Sequence, residues 1–421
     1  MDTDPRRFLT RWIISCLVFA TIIVIFNVAI DPYLLFGAPR IQSINARKPT
    51  TNHERLVKAY DVLRSDTRTV LLGSSRVDLG MDATDAAWPA NTQPVYNLGL
   101  GGAGPYTAYR YLQHVVSRQH VGLVVVGLDF EDFLTATGTG RQDEDQGFEA
   151  YLAVNRDGHV NGSWQHIRDH AQAAVSFDAL TDSVTTLVAN IGGYSLDFGA
   201  GGTWHWDSSE ARGSYGVAAE WTDLIWIRFF SGPEKRSQTV WQDLVAILDL
   251  CRSRGVPVIL FINPVHADVL EIIGLTGYWQ VFEEWKRALV TLTAKYSREN
   301  GINDIPLWDF SGYDSYSTET VGHDLRWFYD SVHYNSRLGS KIVRRIFGSG
   351  DESFGVLLGP ENIETHLVAS REQQRLYRQQ HRADAQRLRN LYNLVVGVQP
   401  QPLAGLHRMT TTAITTADHR R

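Results

Sequence analysis

The sequence predicts an α/β chain built on a doubly wound, mostly parallel sheet, with one N-terminal transmembrane helix and an inserted subdomain. Three observations predict it. Short apolar runs at 69–72, 95–98 and 121–127 lead into turns, two of them rich in glycine or serine. A helical pattern at 106–116 separates the second run from the third. After a long lapse, alternation of helix and strand resumes at 240 and continues to 347. Buried strands of parallel sheets read as continuous apolar runs, and helices join them.

The first element in order is the apolar N-terminus. Residues 12–30 carry no charge and have about the 20-residue length of a bilayer-spanning helix. Arg6, Arg7 and Arg11 precede it, which favours a cytoplasmic segment 1–11 with everything after Ile30 outside. The competing reading is a cleavable signal peptide. Its apolar region is shorter and ends in small residues, whereas this one ends Phe26-Asn27-Val28-Ala29-Ile30-Asp31-Pro32. An uncleaved single-pass anchor is therefore expected. Residues 31–68 read as a juxtamembrane connector broken by Pro32, Gly37 and Pro39, with a helix over 53–63.

The stretch Thr69-Val70-Leu71-Leu72-Gly73-Ser74-Ser75-Arg76 reads as a buried strand, a tight turn and the start of a helix. Ligands of α/β sheets bind beyond the carboxyl ends of strands, where a serine exposes its hydroxyl beside the N–H groups opening a helix. A second strand ends in Gly99-Leu100-Gly101-Gly102-Ala103-Gly104, and the third ends at Leu128-Asp129-Phe130-Glu131-Asp132. The pattern lapses over about 134–237, which holds a helix around 177–189 and the loop Gly201-Gly202-Thr203-Trp204-His205-Trp206-Asp207. This span is expected to be an insertion folded over one end of the sheet. Then follow a helix over 240–254, a strand over 258–262, a helix over 278–296, a strand over 305–310 and a helix over 336–347. The main domain thus spans 69–348. Residues 349–421 read as a helical extension, rich in Arg, Gln, Glu and Ala over 361–393, and a loose tail. Its basic face suits solvent, a partner or anionic headgroups.

Composition narrows the function. A net charge of −6 without a long basic run argues against nucleic-acid binding. Cys16 and Cys251 are the two cysteines, so neither a disulfide framework nor a zinc CxxC pair is present. The glycine-rich turn lacks the Gly-Lys-Ser/Thr of a phosphate loop, and no cofactor is expected. A metal on Asp129, His266 and His333 lacks a recognised ligand spacing.

One constellation carries chemistry. A serine becomes a nucleophile when a base takes its proton and a third group orients the base. Ser75 follows the first strand, and Asp330-Ser331-Val332-His333 lies before the last helix of the domain. The Asp-x-x-His spacing lets both side chains of one turn lean toward one point. Backbone N–H groups of Ser75 and of the Gly101/Gly102 turn would hold an oxyanion. Alternatives stand beside each residue: Ser74 as nucleophile, Arg76 as anion binder or internal ion pair, and Asp129 and Asp132 as site groups or caps. His266 reads as a site group or a structural histidine, and Trp204, His205 and Trp206 as a sugar platform or loop packing.

Gly73-Ser74-Ser75, Asn97-x-Gly99-x-x-Gly102 and Asp330-x-x-His333 resemble, in order, the blocks of the SGNH (GDSL-like) hydrolase superfamily. The resemblance implies an SGNH/flavodoxin-like sheet, with Ser75 as nucleophile, Gly102 as oxyanion donor, Asp330 as orienting acid and His333 as base. The family's third block ends Gly-x-Asn-Asp, and its asparagine completes the oxyanion hole. This chain has Gly127-Leu128-Asp129-Phe130 there, with an acceptor where the family has a donor. The anchor, Gly-Ser-Ser and Asn-Leu-Gly-Leu are similar to the membrane-anchored group that includes alginate O-acetylation proteins and the teichoic-acid D-alanylation accessory protein. That likeness implies O-acyl transfer to, or removal from, a cell-surface polysaccharide on the periplasmic side of a bacterial inner membrane, beside a membrane-bound O-acyltransferase. The rival expectation is a non-catalytic scaffold that binds glycan or the acyltransferase.

Overall fold

A computed structural model describes residues 5–50, 53–134, 147–162, 164–193, 196–206, 215–232, 236–321 and 326–397. In chain order the helices are α1 (Pro5–Ile30), α2 (Glu54–Val62), α3 (Ser75–Gly80), α4 (Pro105–Val116), α5 (Trp164–Val175), α6 (Phe177–Gly192) and α7 (Tyr215–Phe230). They continue with α8 (Gln238–Arg254), α9 (Ala267–Leu275), α10 (Trp279–Asn300), α11 (Ser336–Ile346), α12 (Ile363–Gln380) and α13 (Arg382–Gly397). The strands are β1 (Thr69–Gly73), β2 (Val95–Gly99), β3 (Leu123–Leu128), β4 (Leu196–Phe198), β5 (Trp204–Trp206), β6 (Val258–Ile262), β7 (Leu307–Asp309) and β8 (Val356–Leu358).

Six strands form one sheet in the order β2-β1-β3-β6-β7-β8. Five run parallel, and β8 closes the edge antiparallel to β7. Register aligns Gly73 with Gly99, and Leu72 with Val126. Alternate residues feed two apolar cores: Val70, Leu72, Val124, Val126 and Leu260 enter one, while Leu71, Val125 and Phe261 enter the other. Both faces are therefore covered, which explains why these strands are apolar throughout. The chain leaves β1 toward β2 on one side and returns as β3 on the other. The gap beyond the carboxyl ends of β1 and β3 is the place where such sheets hold ligands.

Helix α3 sits deep in that gap because two glycines admit it. A Cβ on Gly73 or Gly127 would collide with the Val77 side chain. On its other side, a Cβ on Gly80 would strike the Tyr334 ring, so α3 is clamped between the sheet and the segment leading into α11.

Several elements differ from expectation. The strand expected over 305–310 is three residues long, and α9 and β8 were not foreseen. Helix α9 is buried on nearly every side, so its apolar residues show no amphipathic period. The single helix expected over 361–393 breaks at His381. The 134–237 span does not all fold over one sheet end. Its β4–β5 hairpin packs beside β2, where Thr203 Oγ1 accepts from the Ala83 N–H at 2.9 Å, whereas α5 and α6 pack on α1.

The arginine-rich extension lies against the domain. Arg371 pairs with Glu283 through Nε at 2.6 Å, Arg378 with Glu271 at 2.6 Å, and Arg387 with both Asp223 and Asp268. Leu367, Tyr377 and Leu388 are buried beneath them. Those three arginines, at least, are committed inward.

Among the described residues one helix, α1, is long and apolar enough to cross a membrane, and it is exposed over most of its length.

Candidate active site

Ser74 and Ser75 have different partners. Ser74 caps α3, its Oγ accepting from the Arg76 N–H at 3.2 Å and donating to Asp129. Ser75 is the first residue of α3, and its Oγ lies 2.9 Å from His333 Nε2 across 258 residues of sequence. His333 Nδ1 lies 2.8 Å from Asp330 Oδ2. The other Asp330 oxygen accepts from the N–H groups of Val332 and His333, each at 2.8 Å. Burial raises the Asp330 carboxyl, but the imidazole and these two N–H donors outweigh it and leave the group below its ordinary value. An ionised Asp330 requires the proton on Nδ1, which turns the Nε2 lone pair toward the serine hydroxyl.

The loop carrying this pair is held from several sides. The Tyr329 N–H bonds the His333 carbonyl at 2.7 Å, and the His266 N–H bonds the Ser331 carbonyl at 3.0 Å. Arg76 Nε donates to the Val332 carbonyl at 3.2 Å. Asn335 caps α11 just beyond, accepting from the Arg337 and Leu338 N–H groups. One residue after Ser75, the chain thus grips the residue before His333.

Arg76 is 3% exposed and engaged through Nε and NH1. Its NH1 pairs with Asp129 at 2.5 Å and Glu131 at 2.6 Å, and its guanidinium lies 5.7 Å from the Trp226 ring centre. Of the two readings of Arg76, the internal ion pair is the one present. Asp129 accepts from Ser74, Arg76 and, at 2.9 Å, the Asn263 side-chain amide. Both its oxygens are spent as acceptors, so it offers no hydrogen to an oxyanion. Burial holds Glu131 above its ordinary value, Arg76 opposing. Burial, with Asp129 and Glu131 adding repulsion, raises Asp132 further.

The remaining expected residues serve position. Asn97 is wholly buried. Its amide donates to the Val77 and Met81 carbonyls at 2.9 and 2.7 Å, and its oxygen accepts from the Gly99 N–H. It ties the end of α3 to β2 and does not reach the serine. His266 is 1% exposed. Its Nε2 bonds the Glu319 carbonyl at 2.6 Å and its Nδ1 accepts from the Asp268 N–H at 3.2 Å, which makes it a structural histidine. The Gly101 N–H is directed to Glu54 at 3.3 Å, which removes one expected oxyanion donor. Gly102 is exposed, takes φ +66°, and among the described residues its N–H has no acceptor. Trp204 is buried against Phe198, so it packs the hairpin; the side chains of His205 and Trp206 lie outside the described residues.

Sequence reasoning missed Asn263 and Tyr334. The Tyr334 hydroxyl donates to Asn263 Oδ1 at 2.9 Å, and Asn263 in turn holds Asp129. The position of Asn263 directly after β6, at a strand's carboxyl end, was the available signal. Among the described residues no group of three or more His, Cys, Asp or Glu is arranged to hold a metal ion. The chain matches no protein-family model and no curated protein.

Proposed function

We propose that the chain is a serine-dependent O-acyltransferase or esterase, of the SGNH kind, acting on a cell-surface or exported polysaccharide. The observation that carries the reading is the chain of contacts Ser75 Oγ–His333 Nε2–Asp330, at 2.9 and 2.8 Å. Sheet order and coverage of both faces support a doubly wound frame. The apolar α1, preceded by Arg6, Arg7 and Arg11, supports a single-pass anchor with the domain on the periplasmic side. A polysaccharide acceptor and a membrane-bound O-acyltransferase as partner belong to the same proposal.

In this mechanism Ser75 Oγ attacks an acyl carbonyl while His333 Nε2 takes its proton. The carbonyl electrons move to an oxyanion facing the N–H groups of Ser75 and Gly102. Collapse expels the donor oxygen, which receives the proton from His333 and leaves an acyl ester on Ser75. A glycan hydroxyl or water then attacks that ester, giving its proton to His333, and Ser75 is released with its proton restored. Asp330 keeps the ring in the required tautomer and stabilises the imidazolium.

The full chain in detergent is expected to hydrolyse p-nitrophenyl acetate and to be labelled at Ser75 by a fluorophosphonate. Ser75→Ala is expected to lower the rate on the order of 10³-fold or more. A second reading is favoured by one observation: Asp129 stands where the family has its third oxyanion donor. If wild type and Ser75→Ala are equally inert and unlabelled while glycan still binds, the chain is a non-catalytic scaffold.

A further inference from the structure

We infer that the α5–α6 helical hairpin is a second membrane contact, whose tip at Val175 and Phe177 enters the lipid headgroup and acyl boundary beside α1. The inference rests on the reading of α1 as a membrane anchor.

The argument begins at Asn27. Helix α1 is exposed over most of its length, with Asn27 and Ile30 its buried residues. The Asn27 amide donates to the Ala174 carbonyl at 3.0 Å, and its oxygen accepts from Ser183 Oγ at 3.0 Å. The hairpin turn is therefore fixed to a residue three before the end of α1, roughly 5 Å along the axis at the helical rise. An interfacial helix buries its apolar face about 5–10 Å into the headgroup boundary, so the turn stands at that depth. Three further contacts prevent it from swinging away. Tyr33 donates to Asp182 at 2.6 Å, His170 Nε2 bonds the Leu35 carbonyl at 3.1 Å, and Asn190 exchanges bonds with the Arg47 backbone at 2.8 and 2.9 Å.

The face that α6 turns away from these contacts is apolar. On α6, Phe177, Val184, Val188 and Ile191 fall on one helical stripe and are 46–75% exposed. Thr181 completes the stripe, with its hydroxyl spent on the Asp178 carbonyl at 2.8 Å. A threonine satisfied within its own helix tolerates hydrocarbon. Val175 at the tip is 64% exposed, and Trp164 and Ile167 add exposed apolar side chains on α5, where Arg168 and Gln172 are also exposed. So many large apolar side chains on one small element, continuous with a bare apolar helix, fit the acyl boundary and not bulk water.

The test uses the full chain in nanodiscs that contain spin-labelled phosphatidylcholine. Cys251 is buried and its thiol pushed up to about 12, so it stays unreactive, whereas Cys16 is exposed on α1. A fluorophore on native Cys16 reports the anchor. In a Cys16→Ser background, Val175→Cys and Phe177→Cys report the tip, and Glu299→Cys serves as a water-exposed control. The tip labels are expected to be quenched by the spin-labelled lipid several-fold more than the Glu299→Cys label, and to resist aqueous iodide. Iodide quenching of both tip labels equal to the control overturns the inference. Shelter from lipid and iodide alike also overturns it, in favour of a covering protein. If the Cys16 label is itself untouched by lipid, the anchor reading fails; lipid quenching at Cys16 with none at the tip rejects the hairpin contact alone.

Discussion

Two histidine–aspartate pairs of equal length occupy the carboxyl edge of this sheet, and they are built for opposite ends. At the β1/β3 gap, Asp330 takes the His333 Nδ1 at 2.8 Å, leaving Nε2 for Ser75. At the end of β7, Asp309 takes the His366 Nε2, also at 2.8 Å. That choice of nitrogen spends the outer end of the ring and leaves the one nearest its own backbone. Asp309 also pairs with Lys286 at 2.6 Å and accepts both the N–H and the hydroxyl of Ser311, so the nearby serine serves the carboxylate and not the imidazole. Asp309 is wholly buried, while Asp330 and His333 keep side-chain exposures of 13% and 25%. Distance between an imidazole and a carboxylate does not make a base. On the proposed reading, the free nitrogen, a hydroxyl facing it and a route to solvent do.

Breaking the first pair is expected to have the largest effect after loss of Ser75 itself. Asp330→Asn favours the other imidazole tautomer and is expected to lower ester hydrolysis on the order of 10³–10⁴-fold, with the urea midpoint nearly unchanged. A rate within a few-fold of wild type would show that Asp330 has no orienting role. Breaking the second pair is expected to reverse that profile. Lys286→Met takes the buried cation from Asp309, leaving His366 and Ser311 as its hydrogen-bond partners, and is expected to cost about 3–5 kcal/mol of stability while the folded fraction keeps its rate. Burial raises the Asp309 carboxyl, but Lys286 and His366 hold it well below the ordinary range. Its stabilisation is therefore complete at neutral pH and is lost progressively as pH falls from the ordinary carboxylate range through that depressed value.

A third histidine sharpens the contrast with a smaller effect. His114 Nε2 bonds the Ala59 carbonyl at 2.7 Å, and its Nδ1 accepts from the Ala153 N–H at 2.7 Å, with no carboxylate bonded to the ring among the described residues. Burial lowers it from 6.5 to about 4. The unfolded chain then takes the proton first, so stability rises with pH between about 4 and 6.5. The integrated effect is about 3 kcal/mol. His114→Gln is expected to flatten that limb in urea melts at pH 7 and 4.5. An unchanged slope would mean that His114 does not titrate with unfolding.

Much of the frame was legible because buried parallel strands write themselves as apolar runs. The strand Val258–Ile262 matches its expected bounds, and β1, β2 and β3 lie within a residue or two of theirs. Helix α9 was hidden by being buried on nearly every side, and β8 by having three residues without alternation. At the site, the residue types and their order in the chain were legible. The internal uses of Arg76, Asp129, Asn97 and His266 were not, because each depends on partners between 16 and 256 residues away.

By itself the sequence determined an apolar helix fit to span a bilayer, strands buried on both faces, and a serine at a strand-to-helix turn. These follow from local composition and period, which act over a few residues. Tertiary structure alone decided that Ser75 and not Ser74 faces the imidazole, that Asp129 accepts where a donor was sought, and that α5–α6 rests on α1. Each of those outcomes is a choice among hydrogen-bond partners, and folding settles it by burying polar groups that must then find one another.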